Sequence, residues 1–348
     1  MECGVVLLNF GEPAEPSREA VIPFLERIFL DNASLERFDS EEAARKRASE
    51  LAERRAGALI EEYETIGGSP LHEQAAAQAE MLEAELDDRG HAVDVELAMQ
   101  YTEPLIPDVA REMAERDLDR VIVVPVYPLS GPSTNIAAVD TFERELETEK
   151  SAVERRAVTG WHRHPTYTRL RLDAVREFLV DHDLDLGDPD SELLFSAHGT
   201  PVSYLESGSR YDRYVEEYAE TMAALLDIDG YTLGYQNHAN RDIPWTQPDV
   251  EAALESVEAE RVVVEPMSFL HEQSETLHEL DVELRKEAEA LGMDFFRIPV
   301  PHDDSRLGSV IADLVEPFLA DFAPAYHQLR PCQCREAEGT YCLNAPIE

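Results

Sequence analysis

The chain has 348 residues, with 73 Asp and Glu against 30 Lys and Arg, for a formal net charge of -43. Such a charge repels nucleic acid and excludes it as a partner. No apolar run approaches the roughly 18 residues of a membrane span, and the N-terminus lacks the basic and apolar zones of a signal peptide. The expectation is a cytoplasmic protein with at most a peripheral membrane contact. The acids are dispersed along amphipathic segments such as 73–88 and 251–260, which argues against both an acidic tail and a disordered chain. Lys46, Lys150 and Lys286 are the only lysines. A halophilic host fits this balance, because molar salt screens the self-repulsion.

In chain order, apolar β-branched runs alternate with amphipathic segments. Residues 4–9 read as a strand. The helix at 17–30 is unusually apolar, and Val21, Ile22, Phe24, Leu25, Ile28, Phe29 and Leu30 suit the wall of a pocket for a flat hydrophobic ligand. Helices follow at 41–63 and 73–89, then strands at 93–99, 120–126 and 153–158. The second half repeats the alternation, with a helix at 166–181, a strand at 192–197 and a helix at 211–226. Strands at 231–235 and 261–267, a helix at 275–291 and a strand at 293–298 complete it. Strands alternating with helices predict parallel sheets.

The eight strands fall into two sets of four whose members end alike. Residues 4–9 run into Phe10-Gly11-Glu12-Pro13, and 192–197 into His198-Gly199-Thr200-Pro201. Residues 120–126 precede Tyr127-Pro128, and 261–264 precede Glu265-Pro266. The expected fold is α/β: two Rossmann-like lobes, each with a parallel four-stranded sheet, facing a central cleft. The lobes would span 1–160 and 161–323, followed by a Cys-bearing tail at 324–348. No G-x-G-x-x-G follows the first strand, so no nucleotide is expected.

Ligands in open α/β sheets bind outside the carboxyl ends of strands. His198 stands at such an end. It reads either as a strand-end His bonded to backbone or as a neutral base and metal donor. Glu275, Glu279 and Glu283 recur at i, i+4 and i+8, which is one stripe of an α-helix, with Asp281 to the side. That stripe is either a solvated acidic face or a carboxylate ladder able to relay protons or a cation. His271, Glu272 and His278 lack the spacing of a closed zinc site. Phe10, Tyr127, Trp245 and Phe269 flank the expected cleft.

These residues sit in motifs with a known pattern. Gly4-Val5-Val6-Leu7-Leu8-Asn9-Phe10-Gly11-Glu12-Pro13, Ile66-Gly67-Gly68-Ser69-Pro70-Leu71 with Gln78, and Met99-Gln100-Tyr101-Thr102-Glu103-Pro104 come first. Tyr127-Pro128, Trp161 with Pro165 and Tyr167, Phe195-Ser196-Ala197-His198-Gly199-Thr200-Pro201, Tyr235-Gln236, Pro244-Trp245 and Glu275-Thr276-Leu277-His278-Glu279-Leu280-Asp281 follow. In this order, over about 4–319, the chain resembles the ferrochelatases, which insert ferrous iron into a porphyrin. The resemblance implies a chelatase-like fold and an iron-inserting lyase of haem biosynthesis, with His198 and Glu275 as the facing catalytic pair. Fe2+ and a porphyrin would be the substrates, protoporphyrin IX favoured and coproporphyrin III the alternative. The metal path would run through His198, Glu275, Glu279 and Glu283. The porphyrin would lie against Phe10, Tyr127, Ser133, Thr134, Trp245 and Phe269. Two competing readings are a sirohydrochlorin chelatase and a non-enzymatic tetrapyrrole carrier.

The chain departs from the family pattern at Gln100, where the family has Arg, at Gln273, where it has His, and at Phe10, where some members have Tyr. The stretch between Gln236 and Trp245, with His238, Asn240 and Arg241, is longer than usual. Cys332, Cys334 and Cys342 resemble the C-terminal cysteines that hold a [2Fe–2S] cluster in some ferrochelatases. Such a cluster takes four thiolates, and Cys3 is the only other cysteine.

Overall fold

The computed structural model describes residues 1–31, 38, 40–237 and 243–344. His238, Asn240 and Arg241 lie outside them. Eight parallel strands form two sheets of the same order. Cys3–Asn9 (β1), Val95–Met99 (β2), Arg120–Pro125 (β3) and Glu154–Val158 (β4) are arranged β2-β1-β3-β4. Ser191–His198 (β5), Thr232–Gln236 (β6), Arg261–Pro266 (β7) and Asp294–Arg297 (β8) are arranged β6-β5-β7-β8. All eight expected strands are present. β1 and β3 are buried along almost their whole length, as parallel strands covered on both faces must be.

The first sheet has six strands where four were expected, because Arg330–Pro331 (β9) and Thr340–Cys342 (β10) of the tail extend it. β10 runs parallel to β4, with Thr340 opposite Ala157, and β9 pairs antiparallel with β10.

One apolar core joins the two halves. Val5 and Leu7 of the first sheet, Phe195 of the second, and Val310 and Leu314 of the helix Arg306–Leu319 belong to the same buried cluster. That helix also engages the end of the helix Leu71–Asp88, where Arg89 Nη1 donates to Asp313 at 2.7 Å and to Glu316 at 3.0 Å. The carboxyl ends of both sheets are thereby set across a cleft. No described helix is long and apolar enough to cross a membrane.

Candidate functional site: a cleft between two strand edges

A cleft with about 1110 Å³ of empty space opens between the carboxyl ends of the sheets. Phe10, Tyr127, Ser133 and Thr134 line it from the first half, and His198, Trp245, Phe269 and Glu275 from the second. All of these residues were expected there from the sequence. Of the seven apolar residues of the helix Arg18–Asp31, Ile28 and Phe29 also line it, whereas Val21, Ile22, Phe24, Leu25 and Leu30 do not.

His198 is the last residue of β5. Gly199 follows it at a close approach of two chain segments, where a Cβ would lie 2.8 Å from the Gln236 carbonyl oxygen. The His198 backbone N–H donates to Ser268 Oγ at 2.9 Å, and Tyr211 Oη stands 3.1 Å from the same oxygen. His198 Nε2 lies 3.1 Å from Glu275 Oε1, and both side chains are partly exposed to the cleft. Gln273 Nε2 donates to the other Glu275 oxygen. Burial pulls the His198 pKa down, but the facing Glu275 carboxylate, helped by Glu279 and the Gly199 backbone, outweighs it, and the net shift is upward.

Glu279 lies behind this pair. Gln236 Nε2 donates to the Glu275 carbonyl at 2.8 Å and to Glu279 Oε2 at 2.9 Å, while Gln236 Oε1 accepts from the Ser196 hydroxyl at 2.8 Å. Burial first, and then the Glu275 charge, push the Glu279 pKa up to about 8. Both effects favour the protonated form of Glu279. Glu283 is different: it is largely exposed, with Oε1 4.0 Å from His278 Nδ1.

The carboxylates do not sit on one α-helix, as their spacing predicted. Ser274–Leu277 is α-helical, Glu279–Leu284 is π-helical and Arg285–Ala290 returns to α. The Glu283 N–H reaches back five residues to the His278 carbonyl, which the Val282 N–H shares. Such π segments occur frequently at functional sites.

The first half supplies a largely aromatic wall. Phe10 meets Tyr101 edge-on at 4.7 Å and Phe24 at 6.1 Å. Tyr127 Oη accepts from the Phe10 N–H at 2.9 Å and donates to Asn9 Oδ1 at 2.9 Å. Gln100 donates to the Ser133 carbonyl at 3.2 Å, so it braces the loop that carries Ser133. His271 is buried, its pKa lowered to about 3 chiefly by that burial, and its Nδ1 lies 3.5 Å from Asn9 Nδ2.

Tyr101 was noted only as part of a motif and Tyr211 only as a helix start, and neither they nor Tyr204 and Ser268 were expected in the site, yet all line the cleft. A single aromatic or serine near a helix start carries no sequence signal for a pocket wall. Below the second edge, buried Arg171 donates to Glu265, and through its two Nη atoms to the Pro266 and Phe269 carbonyls, each at 3.1 Å. It thereby fixes the end of β7 under Phe269.

The cysteine expectation needs correction. The Cys332 sulfur neighbours those of Cys334 and Cys342. Thr159 Oγ1 lies 3.0 Å from Cys332 Sγ, and Tyr214 Oη 3.1 Å from Cys334 Sγ. Cys3, however, lies opposite Arg120 at the other end of the sheet, five strand positions from the level of Cys342 and three strands to the side, a separation of about 20 Å at the usual strand rise and spacing. Among the described residues no group of three or more His, Cys, Asp or Glu is arranged to hold a metal ion. The residues present do not offer four thiolates to a [2Fe–2S] cluster.

A fold of two like-ordered parallel sheets with a cleft between their carboxyl edges defines a chelatase-type α/β protein. The solved structure of SirB from Bacillus subtilis with Fe3+ matches it at a TM-score of 0.54 and 12% identity, covering 92% of this chain and 99% of that one. The sirohydrochlorin chelatase SirB from Bacillus subtilis subspecies spizizenii in complex with cobalt matches at 0.51 and 11% identity, covering 92% and 97%. At these identities the likeness shows the fold alone.

The ferrochelatase family model matches residues 2–318. A ferrochelatase of Picosynechococcus sp. is 32% identical, covering 99% of this chain and 91% of the relative. One of Synechococcus sp. (strain JA-3-3Ab) is 33% identical, covering 93% and 95%. The chain belongs to the ferrochelatase family, the enzymes that insert iron into porphyrins.

Proposed function

We propose that this enzyme inserts Fe2+ into protoporphyrin IX, with His198 and Glu275 as the working pair. The observation that carries the reading is the 3.1 Å approach of His198 Nε2 to Glu275 Oε1 on the cleft wall. The porphyrin lies against Phe10, Tyr127, Trp245 and Phe269, with Ser133 and Thr134 at its edge. Iron reaches the exposed pyrrole nitrogens along Glu283, Glu279 and Glu275. Each of two pyrrole N–H groups gives up its proton as an Fe–N bond forms, so one Fe2+ enters and two protons leave. His198 accepts a proton at Nε2, where the adjacent carboxylate stabilises the imidazolium. Glu279 passes protons outward, and its raised pKa suits it to carry one at neutral pH.

The choice of porphyrin rests on the lining. Among the described residues no Lys or Arg lines the cleft. A substrate with two carboxylates is easier to accommodate there than coproporphyrin III, which has four. Lobes at 1–160 and 161–323 both contribute to the porphyrin wall, and the second also carries the chemistry. A molar-salt cytoplasm is the working environment, supported by the net charge of -43.

The test is anaerobic iron insertion in molar KCl, with the two porphyrins side by side and the product followed by absorbance. Turnover with protoporphyrin IX and little with coproporphyrin III is expected. Binding of both without turnover of either would overturn the reading.

A further inference from the structure

Two motifs take no part in the cleft lining: Gly11-Glu12-Pro13 after β1, and Gly67-Gly68-Ser69-Pro70 after the helix Glu41–Ile66. The structure brings both to one carboxylate. Glu12 is 4% exposed, and a carboxylate buried to that degree persists only when its oxygens are hydrogen-bonded. The Ser69 hydroxyl donates to Oε2, the Ser274 N–H donates to the same oxygen at 3.1 Å, and the Ser274 hydroxyl donates to Oε1. The Tyr63 hydroxyl stands beside them. Gly11 makes the turn that aims Glu12 inward: its φ is +81°, and a Cβ there would collide with Thr102 Oγ1.

Ser274 immediately precedes Glu275. Its neighbours are tied to the first half as well, since Gln74 Oε1 accepts from the Glu272 N–H at 2.8 Å and Gln78 donates to the Leu270 carbonyl at 3.1 Å. His198 is fixed differently, as the last residue of β5, bonded to Ser268. Glu275 is held from its own half by Gln236, which donates to its carbonyl, and a second link, from the first half of the chain, reaches Ser274 beside it. Glu12 is the part of that link nearest to Glu275, and its two oxygens accept three hydrogen bonds from Ser69 and Ser274.

We propose that Glu12 is a positioning residue that holds Ser274, and through it the Glu275 carboxylate, at hydrogen-bonding distance from His198. The inference rests on the reading of His198 and Glu275 as the working pair.

The test is a double-mutant cycle on the full-length protein in molar KCl, read as kcat and porphyrin KM for anaerobic iron insertion. Glu12→Ala is expected to lower kcat at least tenfold, with KM within about twofold of wild type. Ser274→Ala, which leaves the carboxylate its Ser69 partner, should lose about threefold and serves if Glu12→Ala fails to fold. In a Glu275→Gln background either substitution should cost less than about twofold more, because the residue it acts through is already gone. A full additional loss in that background, or a raised KM with kcat unchanged, overturns the proposal. So does a slow Glu275→Gln beside a wild-type kcat in Glu12→Ala and Ser274→Ala. Failure of the underlying reading shows separately as Glu275→Gln with wild-type kcat, and that result overturns the positioning role too.

Discussion

β1 and β5 hold equivalent places in their sheets, each flanked by the next two strands of its own half. Each carries its chain to the cleft, with Phe10 just after β1 and His198 at the end of β5. Phe10 packs edge-on against Tyr101, while His198 faces Glu275 with Glu279 behind it. The same backbone device thus presents an apolar wall on one side and a titrating pair on the other. Strand order fixes where a ligand sits, and the residue at the strand end decides whether that side holds the ligand or reacts with it.

The comparison breaks most visibly at His198. His198→Ala should lower kcat by about 10³ or more and leave porphyrin binding, read by fluorescence quenching, nearly unchanged. An active variant would mean that the second edge is not the reacting one. Glu275→Gln should lower kcat by about 10². It should also move the acid limb of the pH–rate profile to lower pH. The carboxylate raises the His198 pKa, its amide does not, and the neutral imidazole then persists into more acidic solution. A limb that stays put or moves up would separate the two residues.

On the other edge, Phe10→Ala should raise the porphyrin KM about tenfold with kcat within about threefold, because it removes binding area shared by ground and transition states. A matching loss in kcat would give Phe10 a share in the chemistry. Salt acts on both edges alike. Transfer from molar KCl to dilute buffer should lower the melting temperature by about 10 °C, as screening lengths grow from about 3 Å to tens of Å. An unchanged melting temperature would remove the charge from the account.

The two sheets were legible because parallel strands buried on both faces read as short apolar runs, such as Val5-Val6-Leu7-Leu8 and Val262-Val263-Val264. His198 was legible because such a run stops at it. The π segment Glu279–Leu284 was not, since i, i+4 spacing of carboxylates suits an α-helix equally well. β9 and β10 are two and three residues long, too short for a period to be read from the sequence. The Glu12 link was hidden for another reason: its partner Ser274 lies 262 residues away, and local pattern carries no information about contacts at that separation.

The most direct test of the division between the edges is a single-turnover anaerobic insertion experiment on His198→Ala and Phe10→Ala together, in molar KCl with saturating protoporphyrin IX. The account predicts that His198→Ala binds the porphyrin and forms no haem, while Phe10→Ala, once saturated, forms haem at close to the wild-type rate. Haem formation by His198→Ala at the wild-type rate, or its loss in saturated Phe10→Ala, would contradict it.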